Sequence, residues 1–220
     1  MLSAMLAAPC APASAPKARP AAVAPPAEAS LPAGDAAAGK DKAEAERCLE
    51  CHGSAGPAQG FSNDADGKFA KLAGQYPAYI VKQMQDFRSG RRQHEFMAMM
   101  ANTIADADLA DIAAYFAAAP AMSGGAAPER EDDAPARRLF TQGDASRQLV
   151  ACVACHGGRG QGVAGAGPVI GGQGLRYLAQ QLYGWRSGAR HNSAQGVMNA
   201  QARPLSDAEI EALAHYVSAL

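Results

Sequence analysis

Cys48-Leu49-Glu50-Cys51-His52 and Cys152-Val153-Ala154-Cys155-His156 are two copies of one pattern, Cys-x-x-Cys-His, about a hundred residues apart. The pattern is the attachment signature of c-type haem: both thiols form thioethers to the porphyrin vinyls, and the adjacent His takes one axial site on the iron. Three residues apart on a helical turn, the two sulfurs point to one side, and the following imidazole is carried under the ring. A thioredoxin-like redox pair would need a strand-rich βαβ context, which the sequence does not offer. A structural zinc site would draw four ligands from paired knuckles at short separation. Cys48, Cys51, Cys152 and Cys155 are therefore read as thioether-forming residues, and His52 and His156 as axial ligands, for two covalently bound haem c groups.

The bulk composition narrows the rest. A chain of 220 residues has room for two small domains. Lys plus Arg number 20 against 21 Asp plus Glu, so there is no basic footprint for nucleic acid and no polybasic membrane surface. The apolar fraction, 48%, is carried largely by Ala, a composition that favours short helices over sheets. Four of the five cysteines belong to the two motifs, which leaves Cys10 and no disulfide framework.

Residues 1–33 read as a leader followed by an Ala/Pro-rich disordered segment. Met1 to Ala15 is apolar and ends in Ala13-Ser14-Ala15, like the back half of a secretory signal without its basic start. Cys10 is read as part of that leader rather than as a lipid anchor. No segment approaches the length of a transmembrane helix. Haem attachment of this kind is expected outside the cytoplasm, so the expected location is the periplasm, with peripheral membrane association left open.

The chain is one unit written twice. At an offset of 98 residues, Leu72-Ala-Gly-Gln75 meets Ile170-Gly-Gly-Gln173, Tyr79 meets Tyr177, Gln83 meets Gln181, and Phe87-Arg-Ser-Gly90 meets Trp185-Arg-Ser-Gly188. Beyond the Ser-Gly the offset grows to 101, where Leu109 meets Ile210 and Tyr115 meets Tyr216. Periodicity predicts helices over about 35–48, 77–87, 134–142 and 175–185, and closing helices with the stripes Leu109, Ile112, Ala113, Phe116 and Ile210, Leu213, Ala214, Val217. Ser206 and Glu209 form a capping box. The expected organisation is a domain over 34–119, a linker over 120–133 and a second domain over 134–220. Each repeat is small for a core of its own, and a covalently held haem would fill its centre.

The sixth ligand decides the chemistry. Met198 is the only Met after position 122 and lies seven residues before Leu205; the 101-residue offset matches it to Met97, seven before Ile104. Met99 and Met100 are the rivals of Met97, and His94 and His191 compete nearby. His/Met ligation raises the reduction potential relative to His/His. It also closes the iron to small molecules, which suits electron transfer. Tyr79, Phe87, Tyr177 and Trp185 are expected to pack the haem pockets. Arg88 and Arg186 are expected either to reach propionates or to lie on solvated faces, and His215 to be exposed.

These residues together resemble the dihaem cytochrome c4 family, and the likeness covers residues 34 to 220. The resemblance implies an all-α fold of two tandem class I cytochrome c domains related by a pseudo-twofold, each wrapped around a covalent haem. It implies His52/Met97 and His156/Met198 as axial pairs. The implied function is periplasmic transfer of single electrons between respiratory donors and a terminal acceptor such as a haem-copper oxidase, with membrane oxidase or reductase complexes as partners and no catalytic residues. The alternative is a cytochrome subunit that accepts electrons from a dehydrogenase, as in flavocytochrome-type sulfide dehydrogenases. One departure stands out. The family carries a Pro before the Leu-x-Gly-Gln stretch, whose carbonyl steadies the axial His; Pro168 fills that role, but the matching residue in repeat one is Ala70.

Overall fold

The computed structural model describes residues 33–53, 67–122 and 133–220, and among these there are helices and turns but no strand. The first half carries α1 (Ala36–Ala45), α2 (Cys48–His52), α3 (Pro77–Arg88), α4 (Glu95–Thr103) and α5 (Asp106–Ala118). The second half repeats the order with α6 (Asp133–Gln142), α7 (Val153–His156), α8 (Leu175–Ser187), α9 (Val197–Ala202) and α10 (Asp207–Ala219). The expected leader with Cys10, and residues 123–132 of the expected linker, lie outside the described residues.

Local chemistry explains most of these boundaries. Asp35 caps α1 by accepting from the amides of Ala37 and Ala38. The helix does not run on to Cys48 as periodicity predicts. Arg47 takes a left-handed conformation, φ 57°, which ends α1 and lets the Cys-x-x-Cys-His segment restart as its own short helix. Pro77 opens α3 at a position that needs no amide donor. Gly90 and Gly188, with φ of 71° and 83°, turn the chain away after α3 and α8. The capping box of Ser206 and Glu209 is present at α10. Two helices were not legible in the sequence: α4 and α9, each holding the Met of the candidate ligand pair.

The two apolar stripes become two cores. Leu109, Ile112, Ala113 and Phe116 of α5 are buried against Ile80 and Val81 of α3 and Ala43 of α1. Ile210, Leu213, Ala214 and Val217 of α10 are buried against Leu178 of α8 and Phe140 of α6. Gly39 lets α1 and α5 cross closely, since a Cβ there would sit 1.9 Å from the carbonyl oxygen of Asp111.

Arg88 and Arg186 do not lie free on solvated faces. Arg88 donates to the carbonyls of Ala101 and Ile104 and to Asp106. Arg186 does the same for the carbonyl of Leu205 and for Asp207. Each fastens the end of one helix to the turn that opens the closing helix, where its charge meets an acid in the first turn. His215 is half-buried rather than exposed, with Nδ1 3.1 Å from Asp133 Oδ1. At the foot of α10, Arg147 binds both Asp144 and Glu209. The hydrogen bonds from Arg147, with those from Ser206, outweigh burial and hold the Glu209 carboxyl well below its ordinary 4.5, at about 2.

The halves meet through reciprocal side-chain bonds. Gln75 Nε2 donates to the carbonyl of Val169 at 2.9 Å and its Oε1 accepts from the Val169 amide at 3.1 Å. Gln173 makes the matching pair with Lys71, at 3.0 Å to its carbonyl and 2.8 Å from its amide. Glutamine and backbone partner are both related by the 98-residue repeat, so the contact is self-complementary, as a twofold requires.

Two measurements check this account. Gln75→Ala strands a buried amide and carbonyl of Val169, and should lower the unfolding free energy of the holoprotein by about 1–3 kcal/mol in a urea titration. Glu209 has a depressed folded pKa, so its contribution is complete above about 4.5 and is lost as pH falls toward about 2. Glu209→Gln should therefore be less stable than the parent at pH 7, with the two denaturation midpoints converging as the solution is acidified through that window.

Candidate haem-binding sites

In the first half, α2 holds Cys48, Cys51 and His52 at one wall of a cavity of about 710 Å³. Ile80, Met84 and Phe87 of α3, and Leu109, Ile112 and Phe116 of α5, give it apolar walls, and Met97, Met99 and Met100 of α4 also line it. A flat apolar macrocycle with a polar edge suits such a space: the cavity lies within the size range of cofactor pockets, and polar groups such as Gln83 and Arg92 stand beside its apolar walls. The residues present therefore fit a covalently held haem.

The imidazoles are set up alike in both halves. His52 Nδ1 lies 2.7 Å from the carbonyl oxygen of Ala70, and His156 Nδ1 lies 2.9 Å from that of Pro168. A carbonyl can only accept, so Nδ1 carries the proton and Nε2 keeps its lone pair. Burial pushes both imidazoles below their ordinary range, which holds them neutral and competent to bind a metal. Ala70 thus supplies the same carbonyl as Pro168 without the ring that stiffens it. Burial also pushes the Cys48 and Cys152 thiols up to about 11.

The amides of both candidate methionines bond to side chains just ahead of them. The amide of Met97 donates to His94 Nδ1 at 3.3 Å, and that of Met198 donates to Ser193 Oγ at 3.2 Å. His94 is thereby engaged as the cap of α4. Met97 and Met100 are half-buried, whereas Met99 is 55% exposed. Met198 is half-buried and His191 is exposed.

Between the sites lies a polar cluster that the sequence reading did not identify. Arg92 donates to Gln83 of its own half and to Tyr177 and Gln181 of the other. Arg190 donates to Gln181 of its own half and to Tyr79 and Gln83 of the other. Each guanidinium lies over an aromatic ring of its own half, Arg92 over Phe87 at 4.7 Å and Arg190 over Trp185 at 4.2 Å. Burial raises the Tyr177 phenol, but the two guanidiniums outweigh it and hold the group below its ordinary value. Arg92 also lines the first cavity. Phe87 and Trp185 are buried as expected, but the hydroxyls of Tyr79 and Tyr177 serve the contact between halves. Carrying the 98-residue register two residues past Gly90 would have paired Arg92 with Arg190 and exposed the cluster.

Comparison with known proteins agrees with the geometry. The family model for cytochrome c matches residues 36–119 and again 134–220. A cytochrome c4 from Pseudomonas aeruginosa is 40% identical over 190 residues, covering 86% of this chain and 90% of its own. A thiosulfate dehydrogenase electron acceptor from Stutzerimonas stutzeri is 38% identical over 170 residues, 77% of this chain and 76% of its own. The crystal structure of reduced cytochrome c4 from Pseudomonas stutzeri superposes with a TM-score of 0.76 at 36% identity, covering 86% of this chain and all of that one. With two attachment motifs, two matched helical halves and a self-complementary contact between them, the chain belongs to the cytochrome c family as a dihaem protein of the cytochrome c4 type, an electron-transfer protein with two covalent haem c groups and not an enzyme.

Proposed function

We propose that Cys48 and Cys51 carry the first haem and Cys152 and Cys155 the second, with His52 and Met97 as axial ligands in one half and His156 and Met198 in the other. The cavity carries this reading, since Cys48, Cys51, His52 and Met97 line one apolar space. The domains would span 34–119 and 134–220, joined through 120–133 and preceded by a leader over 1–33. Bound haem supplies a one-electron iron couple, and a thioether ligand raises its potential. The chain's own contribution is to hold each imidazole on a backbone carbonyl, to exclude water with the α3 and α5 side chains, and to place positive charge at Arg92 for the acidic edge of the group.

The chain would work in the periplasm, passing single electrons from respiratory donors to a membrane acceptor such as a haem-copper oxidase. Among the described residues no helix is long and apolar enough to cross a membrane. This reading takes any membrane association as peripheral. The 38% identity to a thiosulfate dehydrogenase electron acceptor favours a second reading, in which a dehydrogenase on a separate chain is the electron donor. Capture from solubilised membranes separates the two: a catalytic dehydrogenase subunit co-purifies in stoichiometric amount only under the second.

The ligand assignment is tested by spectra of the purified holoprotein. Met97→Ala and Met198→Ala should each remove about half of the Met-to-iron charge-transfer absorption, and Met99→Ala and Met100→Ala should leave it whole; retention in Met97→Ala would transfer the role to a neighbour. The haem at His52 should be the more perturbed centre because Ala70 is less rigid than Pro168. Ala70→Pro should then shift the reduction potential of the first haem and leave that of the second in place, and an unmoved first potential would refute the argument.

A further inference from the structure

The pseudo-twofold is broken around Asp86. Its carboxylate is 1% exposed and accepts from Lys82 Nζ at 2.5 Å, Arg91 Nε at 2.8 Å and Asn192 Nδ2 at 2.7 Å. The position that matches it in the second half is Gly184. Asn192 belongs to the other half, and the first half grips it twice more: Gln83 Oε1 accepts from its amide at 2.9 Å, and Lys82 Nζ donates to its backbone carbonyl at 2.7 Å.

From Asn192 the bonds run on toward Met198. Asn192 Oδ1 accepts from Arg190 Nε at 3.0 Å. The carbonyl of Arg190 accepts from Asn199 Nδ2 at 2.8 Å, and that amide also reaches the carbonyl of Trp185 at 2.7 Å. Asn199 is the neighbour of Met198 on α9. In the first half the residue that follows Met97 is Ala98, so this brace has no counterpart there.

The loop lengths give the brace a purpose. Seven residues separate Arg190 from Met198, against four between Arg92 and Met97. A longer loop loses more conformational entropy when fixed, so it needs more anchoring to hold its Met at one spot. We infer that Asp86 and Asn192 are positioning residues for Met198: the first half of the molecule holds the sulfur ligand of the second haem, and the converse support for Met97 is weaker. This rests on Met198 being an axial ligand, as proposed above.

The test uses holoprotein in two backgrounds, Met97→Ala and Met198→Ala, each keeping one Met-to-iron band, with the pH raised until that band is lost. Asn192→Ala, and separately Asp86→Ala, should lower the midpoint pH by about one unit in the Met97→Ala background, a roughly tenfold weaker hold on the ligand. The potential of the second haem should fall with it, and the band in the Met198→Ala background should keep its midpoint. Equal shifts in both backgrounds, or a lower thermal midpoint with both bands unmoved, would overturn the inference by showing a purely structural contact. Absence of any Met band in Met97→Ala alone would instead remove Met198 as a ligand before Asp86 is touched, and the inference would fall with that assignment.

Discussion

An imidazole that offers one ring nitrogen to a metal is oriented by the acceptor to which its other nitrogen donates its N–H. His52 and His156 solve this identically, through the backbone carbonyls of Ala70 and Pro168. Each carbonyl lies in a non-helical segment ahead of α3 or α8, so its position depends on that segment's hold on the rest of the fold. Gly74 and Gly172 supply that hold by donating their amides to the carbonyls of Phe116 and Val217 in the closing helices. Tautomer, helix packing and pocket shape are therefore one problem in each half, with the same solution.

The same segments make the contact between halves. Lys71 follows Ala70, Val169 follows Pro168, and these are the residues whose backbones Gln75 and Gln173 grip across the divide. The acceptor of each imidazole is thus one residue from a bond to the other half. Beyond it, Arg92 and Arg190 interlock with Tyr177 and Tyr79. Buried cations held by neutral acceptors and aromatic faces keep the partners in one register, because any slip would leave donors unpaired.

Duplication does not imply equality. The second half has a longer methionine loop, Gly184 in place of Asp86, and Asn199 in place of Ala98. The first has Ala70 in place of Pro168 and four methionines, Met84, Met97, Met99 and Met100, around one cavity. These differences all lie near the two Cys-x-x-Cys-His motifs and the methionine loops of the two halves, so the halves are alike in plan and unlike in detail.

The sequence alone determined the cofactor, the repeat and the closing helices, because a thioether motif, a 98-residue register and a 3.6-residue apolar period are local or strictly repeated signals. The capping box at Ser206 was legible for the same reason: all its bonds lie within four residues. Tertiary structure alone decided what depends on residues far apart in the chain. The break at Arg47 and the short helices that hold Met97 and Met198 show no long apolar period in the sequence, and their ends are set in the folded chain. The roles of Arg88, Arg92 and Arg190 were open in the sequence, since a guanidinium can donate to a carbonyl, a phenol or a carboxylate. The choice is made by which acceptors the folded chain brings within about 3 Å.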